Sequence, residues 1–169
     1  MSKNIVLIGF MGAGKSVAAK ELARRLKREA VSTDKAVEKS EKRPIADIFQ
    51  NSGEKHFRQL EKDVVAELAE KENLIIDCGG GVFTSDDNIR HLKKSGSVIC
   101  LTATPECLLE RTRRTKIRPL LNVPDPLKKI KELLVVREPF YRQAHHWLDT
   151  TGKTNQEVCD EIERLLSRE

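Results

Sequence analysis

Short runs that are apolar at every position alternate along the chain with longer segments whose apolar residues recur every three or four positions. Ile5-Val-Leu-Ile8 is the first such run, and with apolar side chains on both alternating faces it predicts a central strand covered on both sides. A glycine-rich turn leads to a predicted helix over residues 15–28, with Val17, Ala18, Leu22, Ala23 and Leu26 on the buried face. Ala30-Val-Ser32 reads as the next strand, followed by a helix near residues 36–40 and another after Pro44, which suits a first helical position because it has no N–H to satisfy. Residues 54–71 carry the clearest stripe: Phe57, Leu60, Val64 and Leu68 at spacings of three and four, widened by Val65. Leu74-Ile-Ile-Asp77 is a strand running into three glycines, Ser85 can cap a helix over residues 85–94, and Val98-Ile-Cys-Leu101 is another buried strand. Thr104-Pro105 and Asp125-Pro126 each pair a cap with proline at a first helical position. The second opens a helix containing Ile130, Leu133, Leu134 and Val136, and a last strand is expected around residues 147–149. Thr154 and Glu157 form a capping box before a helix lined by Val158, Ile162, Leu165 and Leu166. Strand and helix in alternation predict an α/β fold with a mostly parallel sheet.

At 169 residues the chain fits one domain, residues 1–169, with no Gly/Ser-rich linker or internal repeat to divide it. A hydrophobic fraction of 38% without a biased tract excludes disorder over most of the chain. No apolar run approaches the ~20 residues that span a bilayer, which excludes an integral membrane protein. Cys78, Cys100, Cys107 and Cys159 show no zinc, haem or redox spacing, and Cys78 and Cys100 sit in strand-like runs where buried thiols are expected. With no signal peptide pattern at the start, the expected location is the reducing cytoplasm. Residues 112–124, rich in charge and proline, read as a mobile loop.

Gly9-Phe-Met-Gly-Ala-Gly14-Lys15-Ser16 matches G-x-x-x-x-G-K-[ST] directly after a predicted strand. Glycines there let several backbone N–H groups converge on phosphate oxygens, and the following helix points its positive end at the same place. Lys15 can neutralise terminal phosphoryl oxygens and Ser16 can ligate Mg²⁺, so the signal is a nucleoside-triphosphate site. The loop alone does not separate hydrolysis, phosphoryl transfer and nucleotide-gated switching. On the acceptor side, Asp34 follows the second strand and can act as general base to an alcohol. Arg58, on the long amphipathic helix, and Arg137, at the end of the helix after the loop, can clamp a carboxylate bidentately. Gly79-Gly80-Gly81 offers an open backbone surface to a small polyol.

In order and spacing these pieces resemble the shikimate kinase family over nearly the whole chain. The matching motifs are the loop from Gly9 to Ser16, Thr33-Asp34, Ile45-Ala-Asp-Ile-Phe49, Gly53-Glu-Lys-His-Phe-Arg58, Gly79-Gly80-Gly81, Arg118-Pro-Leu-Leu121 and Arg137-Glu-Pro-Phe-Tyr141. The resemblance implies a three-layer fold of the nucleoside-monophosphate-kinase type, with a five-stranded parallel sheet flanked by helices, a substrate-binding helical region at about 34–62 and a lid at about 112–124. It implies ATP phosphates on Gly12, Ala13, Gly14, Lys15, Ser16 and Val17, and Mg²⁺ on Ser16. Shikimate is expected against Asp34, Arg58, Gly79, Gly80 and Arg137. Arg118 would approach the phosphates from the lid, with Arg111 and Lys153 toward the adenine. The implied reaction is ATP-dependent phosphorylation of the shikimate 3-hydroxyl, a step of aromatic amino-acid biosynthesis, with Asp34, Lys15 and Arg118 as catalytic groups.

One departure stands out. The family's second strand ends in Asp-x-Asp, whereas this chain has Ser32-Thr33-Asp34. Asp77, at the end of the neighbouring strand, is expected to supply the outer-sphere Mg²⁺ contact that Ser32 cannot; the alternative is that Asp77 caps the glycine turn. Competing activities are a kinase of another hydroxy acid, such as gluconate, or a catalytically weak nucleotide-responsive binding protein. The net charge of +5, concentrated by Arg111, Arg113, Arg114, Lys116 and Arg118, suits two anionic small molecules. No regular basic face or aromatic interleaving extends that cluster, so nucleic acid is not an expected partner. A monomer is expected, since the chain can close its own core.

Overall fold

The computed structural model describes residues 3–113 and 121–168. Five strands form one sheet: β1 (Asn4–Gly9), β2 (Glu29–Ser32), β3 (Leu74–Asp77), β4 (Gly96–Thr102) and β5 (His146–Asp149). Their spatial order is β2-β3-β1-β4-β5, and every neighbouring pair is parallel. The helices are α1 (Lys15–Leu26), α2 (Thr33–Glu41), α3 (Ile45–Ala69), α4 (Asp86–Ser95), α5 (Pro105–Arg113), α6 (Pro126–Tyr141) and α7 (Asn155–Leu166). The expected α/β fold with a five-stranded parallel sheet is therefore the observed one.

The uniformly apolar strands are explained by cover on both faces. Ile5 and Leu7 of β1 point into one core with Ile75, Ile99 and Leu101, against Ala18, Leu22, Val158 and Ile162 of α1 and α7. Val6 and Ile8 point into the other, with Ile76, Val98 and Cys100, against Val37, Ile48, Val64, Val65 and Leu92 of α2, α3 and α4. Side chains buried this completely contribute on the order of 1.5–3 kcal/mol each. Both cysteines expected to be buried are buried, as is Cys159.

Thr104, Asp125 and Thr154 cap their helices as predicted, whereas Ser85 occupies the N-cap of α4 without a side-chain hydrogen bond. Asp125 accepts from the Lys128 N–H at 3.0 Å, and Thr154 and Glu157 close a reciprocal capping box. Four expectations differ in detail. Pro44 is the N-cap of α3 rather than its first residue. The stripe from residue 54 is the second part of α3, set off from the first by Gly53, whose φ of 81° only glycine adopts without strain. Helix α6 runs past Arg137 to Tyr141 despite Pro139. Val17, expected on the buried face of α1, is 58% exposed, because periodicity identifies a stripe but not its edges. Of the expected lid, residues 112–113 belong to α5, while 114–120 lie outside the described residues. No described helix is long and apolar enough to cross a membrane.

Beyond β1 the chain crosses to one side of the sheet to lay down β2 and β3, then returns to the other side for β4 and β5. At such a switch of direction the loops after adjacent strands diverge and leave a crevice at the carboxyl edge.

Candidate active site

That crevice holds a cleft of about 600 Å³ whose wall includes residues 11–17, Ser32, Asp34, residues 77–80, Arg111, Thr150 and Lys153. Gly12 and Gly14 both have left-handed φ, 83° and 95°, and Gly14 is the N-cap of α1 with no side chain to cap it. The first N–H groups of α1 therefore open toward the cleft, a cradle for phosphate oxygens. Lys15 is only 8% exposed, and its ammonium donates to the Gly9 and Phe10 carbonyls at 2.9 and 3.1 Å, so the cation is held on the loop itself. Ser16 Oγ donates to Asp77 Oδ2 at 2.6 Å, joining the first turn of α1 to the end of β3.

The far side of the loop is held by Arg111. Its guanidinium donates to the Gly12 carbonyl at 3.3 Å, to Thr150 Oγ1 at 2.9 Å and to the Thr150 carbonyl at 2.8 Å. Thr150 is itself buried, with its hydroxyl within hydrogen-bond distance of the Ala13 and Thr102 carbonyls at 3.2 and 2.9 Å. Lys153 is in the cleft wall, with its ammonium donating to Glu161 of α7 at 2.8 Å.

Across the crevice the three glycines after β3 each face one acceptor-side residue. A Cβ on Gly79 would collide with Asp34 Oδ1; on Gly80 it would lie 3.2 Å from Arg137 Nη1, and on Gly81 2.6 Å from Arg58 Nη1. Close approach favours glycine here, since the tips of three polar side chains lie against bare backbone. The Gly79 N–H donates to Thr33 Oγ1 at 2.9 Å, and Tyr141 Oη donates to the Gly80 carbonyl at 3.2 Å, fixing the strand end from both sides. Arg58 and Arg137 are not in the cleft wall; they meet it through this glycine segment.

Both arginines are braced. Arg58 lies 5.2 Å over the Phe57 ring and donates from Nη1 to both oxygens of Glu61, at 3.1 and 2.9 Å. Glu61 is 3% exposed, and burial raises its carboxyl above the usual value against the pull of Arg58. Arg137 lies 5.2 Å over the Phe10 ring, and its Nη1 is buried with no hydrogen-bond partner among the described residues. A buried guanidinium donor left unmatched is costly unless an anion completes it. Burial also pushes the Cys78 thiol well above its ordinary value, keeping it neutral and removing it as a nucleophile.

The structure thus brings together in one crevice Gly12 to Val17, Asp34, Asp77, Gly79, Gly80, Arg111 and Lys153, and sets Arg58 and Arg137 at its edge. Arg118 lies outside the described residues. Arg111, expected toward the adenine, ties the Gly12 carbonyl of the phosphate loop to Thr150, and Lys153 donates to Glu161. Glu61 and Thr150 were not anticipated, and Thr33 and Tyr141 were legible only as members of motifs, without their contacts to the glycine segment. Glu61 had a signal, since a carboxylate three residues after Arg58 on a helix faces it; Thr150 had none, as its partner Ala13 is 137 residues away.

A phosphate loop on a parallel sheet, opposite a glycine segment on which a carboxylate and two arginines press, is the construction of a small-molecule kinase that holds donor and acceptor at one sheet edge. Comparison with known proteins narrows the class. The sequence model of the shikimate kinase family matches residues 11–167. The shikimate kinase of Caldanaerobacter subterraneus subsp. tengcongensis is 47% identical over 162 residues, covering 96% of this chain and 95% of that protein. That of Thermoanaerobacter pseudethanolicus is 44% identical, covering 98% and 97%. The solved structure of shikimate kinase from Acinetobacter baumannii in complex with shikimate superposes with a TM-score of 0.93 at 37% identity, covering 99% of this chain and 94% of that one. The chain belongs to the shikimate kinase family.

Proposed function

We propose that this protein transfers the γ-phosphoryl group of ATP to the 3-hydroxyl of shikimate, giving shikimate 3-phosphate and ADP. The observation that carries this reading is the glycine segment, where Asp34, Arg137 and Arg58 stand against three consecutive backbone positions at the mouth of the phosphate cradle. A carboxylic acid bearing a ring hydroxyl matches that sequence of groups. Its carboxylate pairs with the two guanidinium groups and supplies the acceptor that buried Arg137 Nη1 lacks. Its hydroxyl is then directed toward Asp34, which accepts the proton as the oxygen attacks phosphorus. Lys15 and the loop N–H groups from Gly12 to Val17 stabilise charge on the transferring phosphoryl group and on departing ADP. Arg111 holds the loop and Lys153 borders the nucleotide end, while the Arg118-Pro-Leu-Leu motif assigns Arg118 to charge stabilisation at the phosphates.

The residues present also fit Mg²⁺. Ser16 Oγ and the Asp77 carboxylate form a neutral and an anionic oxygen pair beside the cradle, while no cluster of three or more His, Cys, Asp or Glu offers a full protein cage among the described residues. Such a sparse set suits an ion that keeps waters and takes most ligands from phosphates. Ser16 would hold it directly and Asp77 through water; when bound, the ion neutralises charge on the phosphate oxygens. Coupled ADP-release assays across shikimate, gluconate and related hydroxy acids test the assignment. ADP release stimulated by shikimate and not by gluconate is expected. Release no faster with shikimate than without it, or binding of ATP and shikimate without phosphorylated product, would reject it.

A further inference from the structure

Two carboxylates line the cleft among the described residues, Asp34 and Asp77, and they serve different neighbours. Asp34 presses on Gly79 at the acceptor end, whereas Asp77 accepts the Ser16 hydroxyl at 2.6 Å in the first turn of α1. Asp77 is only 9% exposed, so water screens its charge poorly. Its register partner across β2 and β3 is Ser32, a neutral side chain whose oxygen caps α2 by accepting the Lys35 N–H at 3.4 Å. At this corner of the phosphate loop the strand ends therefore contribute one negative charge, on β3.

That charge has a consequence for the nucleotide. Phosphate oxygens entering beside Ser16 meet the Asp77 carboxylate, and with no cation between them the two anions repel. A divalent cation placed there reverses the sign, because it attracts both. The Ser16 hydroxyl is already set for it: its proton is directed to Asp77 Oδ2, which leaves its lone pairs for a cation. We propose that Asp77 is a selectivity residue that makes the phosphate loop accept nucleotide as its Mg²⁺ complex and reject the bare polyphosphate. The inference rests on the nucleotide reading of the cleft given above, and extends it from which ligand binds to which ionic form of it.

The test is binding, not turnover: isothermal titration of ADP into wild-type protein, Asp77→Asn and Asp77→Asn combined with Ser32→Asp, each with excess Mg²⁺ and with EDTA. Wild-type protein binds ADP more tightly with Mg²⁺. In Asp77→Asn, metal-free ADP binds more tightly than in wild type and the Mg²⁺ complex does not, so the Mg²⁺ preference falls by about tenfold or more, the scale expected for removing one poorly screened like charge. Returning a carboxylate to the register partner with Ser32→Asp, where aspartate still caps α2, restores the preference at least in part. Each preference is a ratio measured on one preparation, so an inactive fraction cancels. Equal shifts of both constants in Asp77→Asn, or no shift in either, would overturn the inference and leave Asp77 as a cap of the glycine turn. A double variant no more Mg²⁺-dependent than Asp77→Asn would overturn it as well, by tying the effect to the Ser16 hydrogen bond instead of the charge. Wild-type protein that binds no ADP in either condition would remove the nucleotide reading and this inference with it.

Discussion

Replacing Gly81 with alanine separates the acceptor site from the fold. Gly81 has φ −100° and ψ −9°, a conformation alanine adopts without strain, so the backbone tolerates the change. A Gly→Ala change at a compatible position stabilises by about 0.4–1 kcal/mol through the unfolded chain. The added methyl carbon, however, would lie 2.6 Å from Arg58 Nη1 and 2.9 Å from Nη2, where ordinary contact begins near 3.4 Å, so the guanidinium must retreat by about 0.8 Å. A free arginine tip would do so at little cost. This one is held by Glu61 at 2.9 Å and stacked on Phe57, so retreat loosens both and misaims the group proposed to pair with the shikimate carboxylate. Loss of one charge-assisted pair costs about 1.5–3 kcal/mol, or roughly 10- to 150-fold in kcat/KM for shikimate. We expect that loss as a raised KM for shikimate in a coupled ADP-release assay, with the KM for ATP unchanged and Tm equal to or above wild type. A shikimate KM within about twofold of wild type would show that Arg58 does not bind the acceptor where the glycine segment holds it.

Asp34→Asn keeps the side-chain shape but removes the base, so kcat is expected to fall by about 10²-fold or more while ADP affinity by calorimetry stays within a few-fold; near-normal turnover would remove Asp34 from the mechanism. Thr154→Ala breaks the capping box of α7, away from the acceptor site, and should cost ~1 kcal/mol, lowering Tm by about 2–4 °C in a thermal melt with kcat unchanged. Glu61→Gln tests the buried carboxyl. Because burial raises its folded-state pKa above 4.5, its contribution to stability is full below that value and is lost as the pH rises through the folded pKa. Glutamine cannot ionise, so the variant should gain Tm relative to wild type between pH 4.5 and neutrality; a difference that does not change with pH would contradict the assigned cause.

Much of this protein can be read from contiguous residues. The strand Ile5-Val-Leu-Ile8, the phosphate loop after it and the helix caps depend on local chemistry: unbroken apolar runs, glycines in turns, and side chains that bond their own backbone three residues away. The acceptor-side residues were legible through their motif spacing, which says that Asp34, Arg58 and Arg137 occur but not how they meet. The α1 stripe was correct in the middle and wrong at the rim, where Val17 faces the cleft mouth. Only the folded chain decided that each of the three glycines carries one of those residues, because the contacts bridge segments far apart and depend on how the sheet edge is closed. The same holds for Arg111, whose hold on Gly12 spans 99 residues, and for Asp77, brought to Ser16 across 61. Secondary structure and the phosphate cradle follow from what neighbours along the chain can bond and bury. The pairing of charges across the cleft follows from strand order, which places β3 beside β1 and makes neighbours of residues that the chain itself keeps apart.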